Sequence, residues 1–174
     1  LLLSVGLIPE NELSKKAGVL LDPVTNGPYV DDRFMTSVPG IFAAGNVVHV
    51  YDLVDWVTEA GYVAGEGAAK YAQAQKVSEG ETVPLKAGEN IRYVVPHKIM
   101  KDNLGEDLIR LQMRAINPIE ERVLVTVEDQ DGEVVAKKGE PYARPGEILS
   151  LAIKPKSFEV VRKAEKLTVH VRER

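Results

Sequence analysis

The sequence of 174 residues contains no cysteine and few histidines. Without cysteine, these residues can form no disulfide framework, no cysteine-ligated zinc site and no redox dithiol. The histidines, His49, His97 and His170, stand too far apart in the sequence to show the spacing of a metal site. The lack of cysteine is compatible with a reducing compartment, and we expect a cytoplasmic protein without a bound metal.

Long apolar runs and charge of one dominant sign are also absent. No uncharged apolar stretch is long enough for a transmembrane helix, so we predict no membrane span. The formal net charge is −4 with both signs interspersed, and there is no basic stripe of the kind that binds nucleic acid. What remains is the composition of an ordinary globular protein.

The first residues lack both an initiator methionine and a polar lead-in. Residues 1–5 are mostly apolar, as in a buried strand, but they are too few for a secretory signal and no basic residue precedes them. The fingerprint Gly-x-Gly-x-x-Gly of dinucleotide-binding folds does not occur either. We therefore expect the chain to be a fragment or a processed product of a longer protein.

Residues 53 to about 75 form the longest helical candidate, because apolar residues recur there at helical spacing. Gly61, Gly65 and Gly67 fall inside this segment. Each of these glycines costs about 1 kcal/mol relative to alanine in a helix, so we expect the helix to approach a neighbouring backbone closely. Asp52 or Asp55 is expected to cap its N-terminus.

The sequence pattern changes after this helix. Residues 79–90 are polar and contain Gly80, Pro84 and Gly88, which predicts a linker between two domains. Residues 91–174 predict an all-β, sandwich-like domain, because short strand patterns alternate with turn signals and a hairpin turn is expected at 129–132. The charged residues 154–166 predict a solvated loop. The predicted strands are 91–95, 108–115, 122–128, 133–137, 148–153 and 166–172.

The segment 36–46, Thr-Ser-Val-Pro-Gly-Ile-Phe-Ala-Ala-Gly-Asn, carries a family resemblance. It resembles the second flavin-binding motif of two-dinucleotide-domain flavoproteins, the thioredoxin reductase and NADH oxidase group. Residues 4–11 resemble the strand and turn that leave the NAD(P) domain in that group, and the glycine- and alanine-rich helix around residues 59–61 resembles the helix after the motif. Residues 49–55 are similar to a subgroup that ends in an extra β-rich region.

The resemblance implies a fold class and a flavin site. The fold would be α+β overall, with a partial α/β, Rossmann-like FAD-binding segment over residues 1–78 in front of the sandwich-like domain. A parallel strand would end at Gly45, which permits close approach of the backbone to a ligand. Asn46 stands where the family usually has Asp and would contact a ribityl hydroxyl of FAD. The backbone of Val54, Asp55 and Trp56 would lie at the pyrimidine end of the flavin ring.

The function implied is that of an oxidoreductase that passes a hydride from NAD(P)H to FAD and on to an acceptor that the sequence does not identify. Both nucleotide fingerprints would belong to a missing N-terminal part of the same protein, so the isolated chain is expected to be inactive and the catalytic residues stay unassigned. The alternative is that the β-rich domain is an interaction or dimerisation module without catalytic activity, which binds a partner subunit or a second copy.

Several side chains allow two interpretations. Asp52 and Asp55 are helix caps or catalytic acids, and Trp56 packs in a core or stacks near the flavin. His49 makes ordinary loop hydrogen bonds or moves protons near the flavin. The arginines also allow two interpretations: they are polar positions of strands, or they form an anion-binding face. These arginines are Arg92, Arg110, Arg114 and Arg122.

Overall fold

The computed structural model describes Leu2 and residues 6–74, 80–105 and 107–174. The chain divides into two compact units, Leu1–Val77 and Ser78–Arg174, called here the N-terminal and the C-terminal unit. Helices and strands are both present, and strands predominate. In the part of the chain that the structure describes, no helix is both long and apolar enough to cross a membrane.

The N-terminal unit consists of two helices joined by long irregular segments. Helix α1 spans Glu12–Lys16, helix α2 spans Val54–Ala74, and a single 3₁₀ turn covers Gly45–Val47. Its described residues form no strand and include the isolated bridges Leu21 with Pro28 and Met35 with Phe42. The predicted parallel strand ending at Gly45 is not seen among the described residues, where residues 41–44 take part only in the antiparallel bridge of Phe42 with Met35. Most of the predicted strand 1–5 lies outside the described residues.

Helix α2 confirms the predicted helix, but only one of its three interior glycines shows the expected close contact. A Cβ atom on Gly67 would stand 2.9 Å from the carbonyl oxygen of Arg33, and Tyr71 packs edge to face on Phe42 with 6.1 Å between ring centroids. Cβ atoms on Gly61 and Gly65 would meet nothing within 4 Å. One side of α2 therefore packs on its own unit, and the other side stays open among the described residues.

The C-terminal unit contains eight strands in two sheets. The five-stranded sheet has the order β3-β1-β8-β5-β6, and the three-stranded sheet has the order β2-β4-β7. Strands β1 and β8 pair in parallel and the other pairs are antiparallel. The strands are β1 Thr82–Ala87, β2 Ile91–Val95, β3 Lys98–Met100, β4 Ile109–Ala115, β5 Val123–Glu128, β6 Val134–Glu140, β7 Leu149–Ile153 and β8 Leu167–Glu173.

One hydrophobic core lies within the C-terminal unit and draws on both sheets. Alternate residues of the strands point into it, for example Val125 and Val127 of β5 and Leu111 and Met113 of β4. The predicted hairpin at 129–132 is confirmed between β5 and β6. There the carboxylate of Asp129 accepts hydrogen bonds from two backbone N–H groups of the turn, at 2.9 and 2.8 Å.

The prediction of a linker at 79–90 is wrong over Thr82–Ala87, which form β1 between β3 and β8. Val83 and Leu85 are buried in the core. The alternation continues only with the small Ala87, and Pro84 stands between Val83 and Leu85, so the local pattern is weak. The pairing with β8, more than eighty residues further along, makes this segment a strand.

The prediction of a solvated loop at 154–166 is also wrong. Helix α3, Phe158–Lys163, lies there, and it places Phe158 and Val161 in the core. The unit is therefore not all-β. The burial follows a helical spacing of three residues, but charged neighbours hide that spacing in the sequence.

Replacing Phe158 with alanine is expected to lower the free energy of unfolding by about 3–5 kcal/mol, because a fully buried aromatic ring would be lost. Lys163→Ala on the exposed side of the same helix is the matched control and should change stability by about 0.5 kcal/mol or less. Urea unfolding followed by circular dichroism measures both variants. Equal effects of the two substitutions would show that α3 contributes nothing to the core.

Candidate functional site

The segment that resembles a flavin-binding motif forms a tight loop against α2. Ala44 is extended, and Gly45 then turns the chain into the 3₁₀ helix with a φ of +77°. A Cβ atom on Gly45 would stand 3.3 Å from Cγ1 of Val57 in α2. Both the positive φ and the close helix favour glycine here, because any other residue would be strained.

Asn46 is exposed, and its side chain closes the loop that follows. Its Oδ1 accepts a hydrogen bond of 3.0 Å from the backbone N–H of Tyr51. The acceptor oxygen is thus used inside the loop, and the amide nitrogen remains to donate outward. Aspartate at this position would keep the bond to Tyr51 with one oxygen and would offer a second acceptor instead of a donor.

Asn11 connects the upstream segment of the resemblance to this loop. It is only 4 % exposed. Its Nδ2 donates to the carbonyl oxygens of Val47 and Asn26, both at 2.9 Å, and its Oδ1 accepts from the hydroxyl of Ser14 at 2.8 Å. Both amide hydrogens and the amide oxygen are therefore used. The sequence marks Asn11 only as part of the resemblance, and nothing local reveals its bridging role.

The turn around Gly27 packs directly on the same loop. A Cβ atom on Gly27 would stand 1.7 Å from the carbonyl oxygen of Val48, so no other residue fits without moving the backbone. Asp22 shapes this turn, because its carboxylate accepts hydrogen bonds from the N–H groups of Val24 and Thr25 at 2.9 and 2.7 Å. Two separate segments, one at Asn11 and one around Gly27, therefore contact the loop at 45–48.

The predicted flavin contacts at the start of α2 lie on an accessible part of the unit. Val54 is 75 % exposed, Asp55 is exposed, and Trp56 is half-buried. The first N–H groups of a helix have no partner within the helix, and its N-terminus carries partial positive charge. Asp55 in the first turn suits that charge, which favours its structural interpretation. The half-buried position of Trp56 is compatible with both of its interpretations.

His49 is 1 % exposed, and its ring lies 4.2 Å from the ring of Tyr51. A histidine that exchanges protons with a ligand needs a route to that ligand, whereas this ring packs inside the unit. Burial therefore favours the structural interpretation of His49.

Apolar side chains remain exposed on the N-terminal unit in unusual number. Tyr62 on the open side of α2 is 72 % exposed and borders a shallow groove of about 360 Å³ along the helix, which Asp55, Glu59 and Glu66 also line. Large apolar side chains that remain exposed in the unit include Leu7, Ile8, Leu13, Leu20, Leu53 and Val54. By contrast, its buried apolar side chains are Val19, Val30, Val48, Tyr51, Ala60 and Ala64.

The histidines of the C-terminal unit occupy structural positions. His97 is buried, and His170 of β8 accepts a hydrogen bond at Nδ1 from the N–H of Glu89 at 3.0 Å. Beside it, Glu128 accepts from the hydroxyl of Thr126 and from Arg172, each at 2.7 Å. The hydrogen bond from Thr126, and next that from Arg172, lowers the pKa of Glu128.

The side-chain contacts of the four arginines do not bring them together at one site. Arg110 donates to the hydroxyl of Ser150 at 3.5 Å, and Arg114 donates to that of Tyr93 at 3.1 Å. Arg92 and Arg122 are exposed. These positions favour the interpretation as polar positions of strands.

Within residues 6–74, 80–105 and 107–174, no group of three or more acidic or histidine side chains could hold a metal ion. Comparison with protein-family models, with curated proteins and with solved structures finds no match to this chain. The candidate site therefore depends on the geometry of the loop at 45–51 and the start of α2.

Replacing Asn11 with alanine is expected to loosen this site. Two partly buried hydrogen bonds, to the carbonyl oxygens of Asn26 and Val47, would lose their donor, at a cost of about 1–3 kcal/mol in total. Hydrogen exchange of the Tyr51 amide, which is bonded to Asn46, reports on the loop directly. Ser14→Ala removes a single partner of Asn11 and serves as control, with an expected cost of about 1 kcal/mol or less. Equal protection of the Tyr51 amide in the Asn11 variant and the wild type would contradict a bridging role.

Proposed function

We propose that the N-terminal unit is one side of a flavin cradle in an FAD-dependent oxidoreductase that takes hydride from NAD(P)H and passes electrons to a further acceptor. One observation carries the proposal: the segment at 4–11 and the helix after the motif both contact the turn in which the 36–46 motif ends. Asn11 binds Val47 at 2.9 Å, and Gly45 packs on Val57 of α2. If the sequence resemblance were accidental, there would be no reason for the separate segments to contact one another in the folded unit.

The residues present fit FAD through a mixture of backbone and side-chain groups. Gly45 leaves the backbone accessible, and the amide nitrogen of Asn46 donates to a ribityl hydroxyl, where an aspartate would accept. The N–H groups around Val54, Asp55 and Trp56 stabilise negative charge at the pyrimidine end of the ring, since a helix N-terminus favours anions. The chemistry that bound FAD supplies is hydride acceptance and electron release.

The rest of the cradle is proposed to come from an N-terminal part of the same protein. The supporting observations are physical. Among the described residues of the unit, large exposed apolar side chains outnumber buried ones, which is unusual for a self-sufficient domain. The open side of α2 presents Gly61 and Gly65, where an added Cβ atom would meet no described residue within 4 Å. A neighbouring layer on this side would bury these groups, and the isolated chain is accordingly expected to be colourless and inactive.

The alternative, a β-rich interaction or dimerisation module without catalysis, has weaker support. Apolar exposure in the described part of the C-terminal unit is limited among large side chains to Leu108, Ile116 and Val134. Strand β6 lies at a sheet edge and carries exposed Lys137 and Lys138, which oppose pairing with another strand.

Flavin retention by the full-length protein tests the cradle. Asn46→Leu removes both the donor toward FAD and the bond to Tyr51, so flavin should be lost on dialysis with affinity reduced about tenfold or more. Asn46→Asp keeps the bond to Tyr51 and restores the residue usual in the family, so it should retain flavin. The absorbance of released flavin measures both. Full retention by the leucine variant would falsify the assignment of Asn46.

A glycine substitution distinguishes an open helix side from a covered one. In this chain, Gly65→Ala should stabilise α2 by about 0.5–1 kcal/mol, because it meets no neighbour. In the full-length protein the same change should destabilise the flavin-bound state, because the added methyl group meets the covering layer. Thermal unfolding of both proteins provides the measurement. Equal stabilisation in both would argue that nothing covers this side.

A further inference from the structure

The C-terminal unit has a groove between strands β6 and β7, which are edge strands of the two different sheets. Its volume is about 500 Å³, within the range of about 300–1,000 Å³ typical of small-molecule sites. Small side chains, Ala136 on β6 and Ala152 on β7, leave this space open, and the buried Val135 lies beside it.

Two hydrogen bonds cross the space between β6 and β7 and limit the extent of the groove. Lys138 Nζ donates to the carbonyl oxygen of Ser150 at 3.0 Å, and Ser157 Oγ donates to the carbonyl oxygen of Val135 at 2.8 Å. Each bond occupies a backbone acceptor that an added strand would need. The gap is therefore poorly suited to an extended peptide and better suited to a small molecule.

The charge of the groove has a single sign. Lys137 of β6, Lys154 after β7 and Lys156 of the following 3₁₀ turn line it, and no carboxylate of the described residues does. Elsewhere in the unit, cations pair with acids, as in Lys101–Glu81 at 2.8 Å and Arg144–Glu120 at 2.7 Å. The three groove lysines have no ion pair with any described residue.

We propose that this groove binds a small molecule with two or more oxyanion charges, a phosphate ester or a polycarboxylate. Three ammonium groups from two segments, β6 and the turn after β7, then neutralise the anion, and the small apolar floor contacts its carbon part. The proposal rests on residues of the C-terminal unit alone and does not depend on the flavin assignment of the N-terminal unit.

Binding of inorganic pyrophosphate and of tricarballylate to the full 174-residue chain tests the proposal. Isothermal titration at an ionic strength of about 0.01 M, where exposed charges are least screened, should show saturable binding of at least one probe. A higher affinity for pyrophosphate assigns the site to phosphate esters, and a higher affinity for tricarballylate assigns it to polycarboxylates. Absence of saturable binding for both probes would overturn the proposal and leave the lysines as protection of a sheet edge.

Substitution of the lysines locates the binding. The triple variant Lys137→Gln, Lys154→Gln, Lys156→Gln should bind the preferred probe about tenfold more weakly. A triple control, Lys86→Gln, Lys163→Gln, Lys166→Gln, removes the same charge from exposed positions that do not line the groove and should bind within about twofold of wild type. Two-dimensional NMR spectra verify that both variants stay folded. Equal losses in the two variants would show attraction by net charge alone and would refute the groove as the site.

Discussion

The buried side-chain amide of Asn11 holds the N-terminal unit together at its centre. It joins the turn at Asn26, the loop at Val47 and the hydroxyl of Ser14 with three hydrogen bonds. A buried amide whose groups are all satisfied fixes the segments around it, because any rearrangement leaves a polar group without a partner. The position of Gly45 and Asn46 beside α2, and with it the whole candidate flavin site, depends on this arrangement.

The two units achieve order by different means. The C-terminal unit has a contiguous apolar core shared by two sheets, and its charged pairs lie around the outside. The N-terminal unit relies on directional contacts, namely side-chain hydrogen bonds to backbone and glycines such as Gly27 that allow segments to touch. Directional contacts set geometry but supply little of the hydrophobic stabilisation that keeps a domain folded. That difference is one of the observations that support the proposal of a further part covering the N-terminal unit.

The sequence predicted those elements whose signal is local. Helix α2 repeats apolar residues over many turns, and strand β8 alternates clearly, so their existence and approximate ends were predictable. Strand β1 and helix α3 were missed, because distant partners in the core determine their structure. For the same reason the resemblance located the motif at 36–46 but not the hydrogen bonds of Asn11. The lysine groove was hidden as well, since it joins residues from β6 and from the segment after β7.

Helix α2 brings these considerations together, because its two sides differ in what they contact. On one side, the close contact of Gly67 with Arg33 and the packing of Tyr71 on Phe42 offset the low helix propensity of glycine. On the other side, Gly61 and Gly65 carry the same intrinsic cost, and no contact within the described residues offsets it. Tyr62, which follows Gly61 in the helix, adds exposed aromatic surface. A covering layer accounts for both features at once, since close approach of a backbone needs glycine and burial suits the tyrosine. Either feature alone has simpler explanations, and their coincidence on one side of one helix supports the proposal that another layer covers this side.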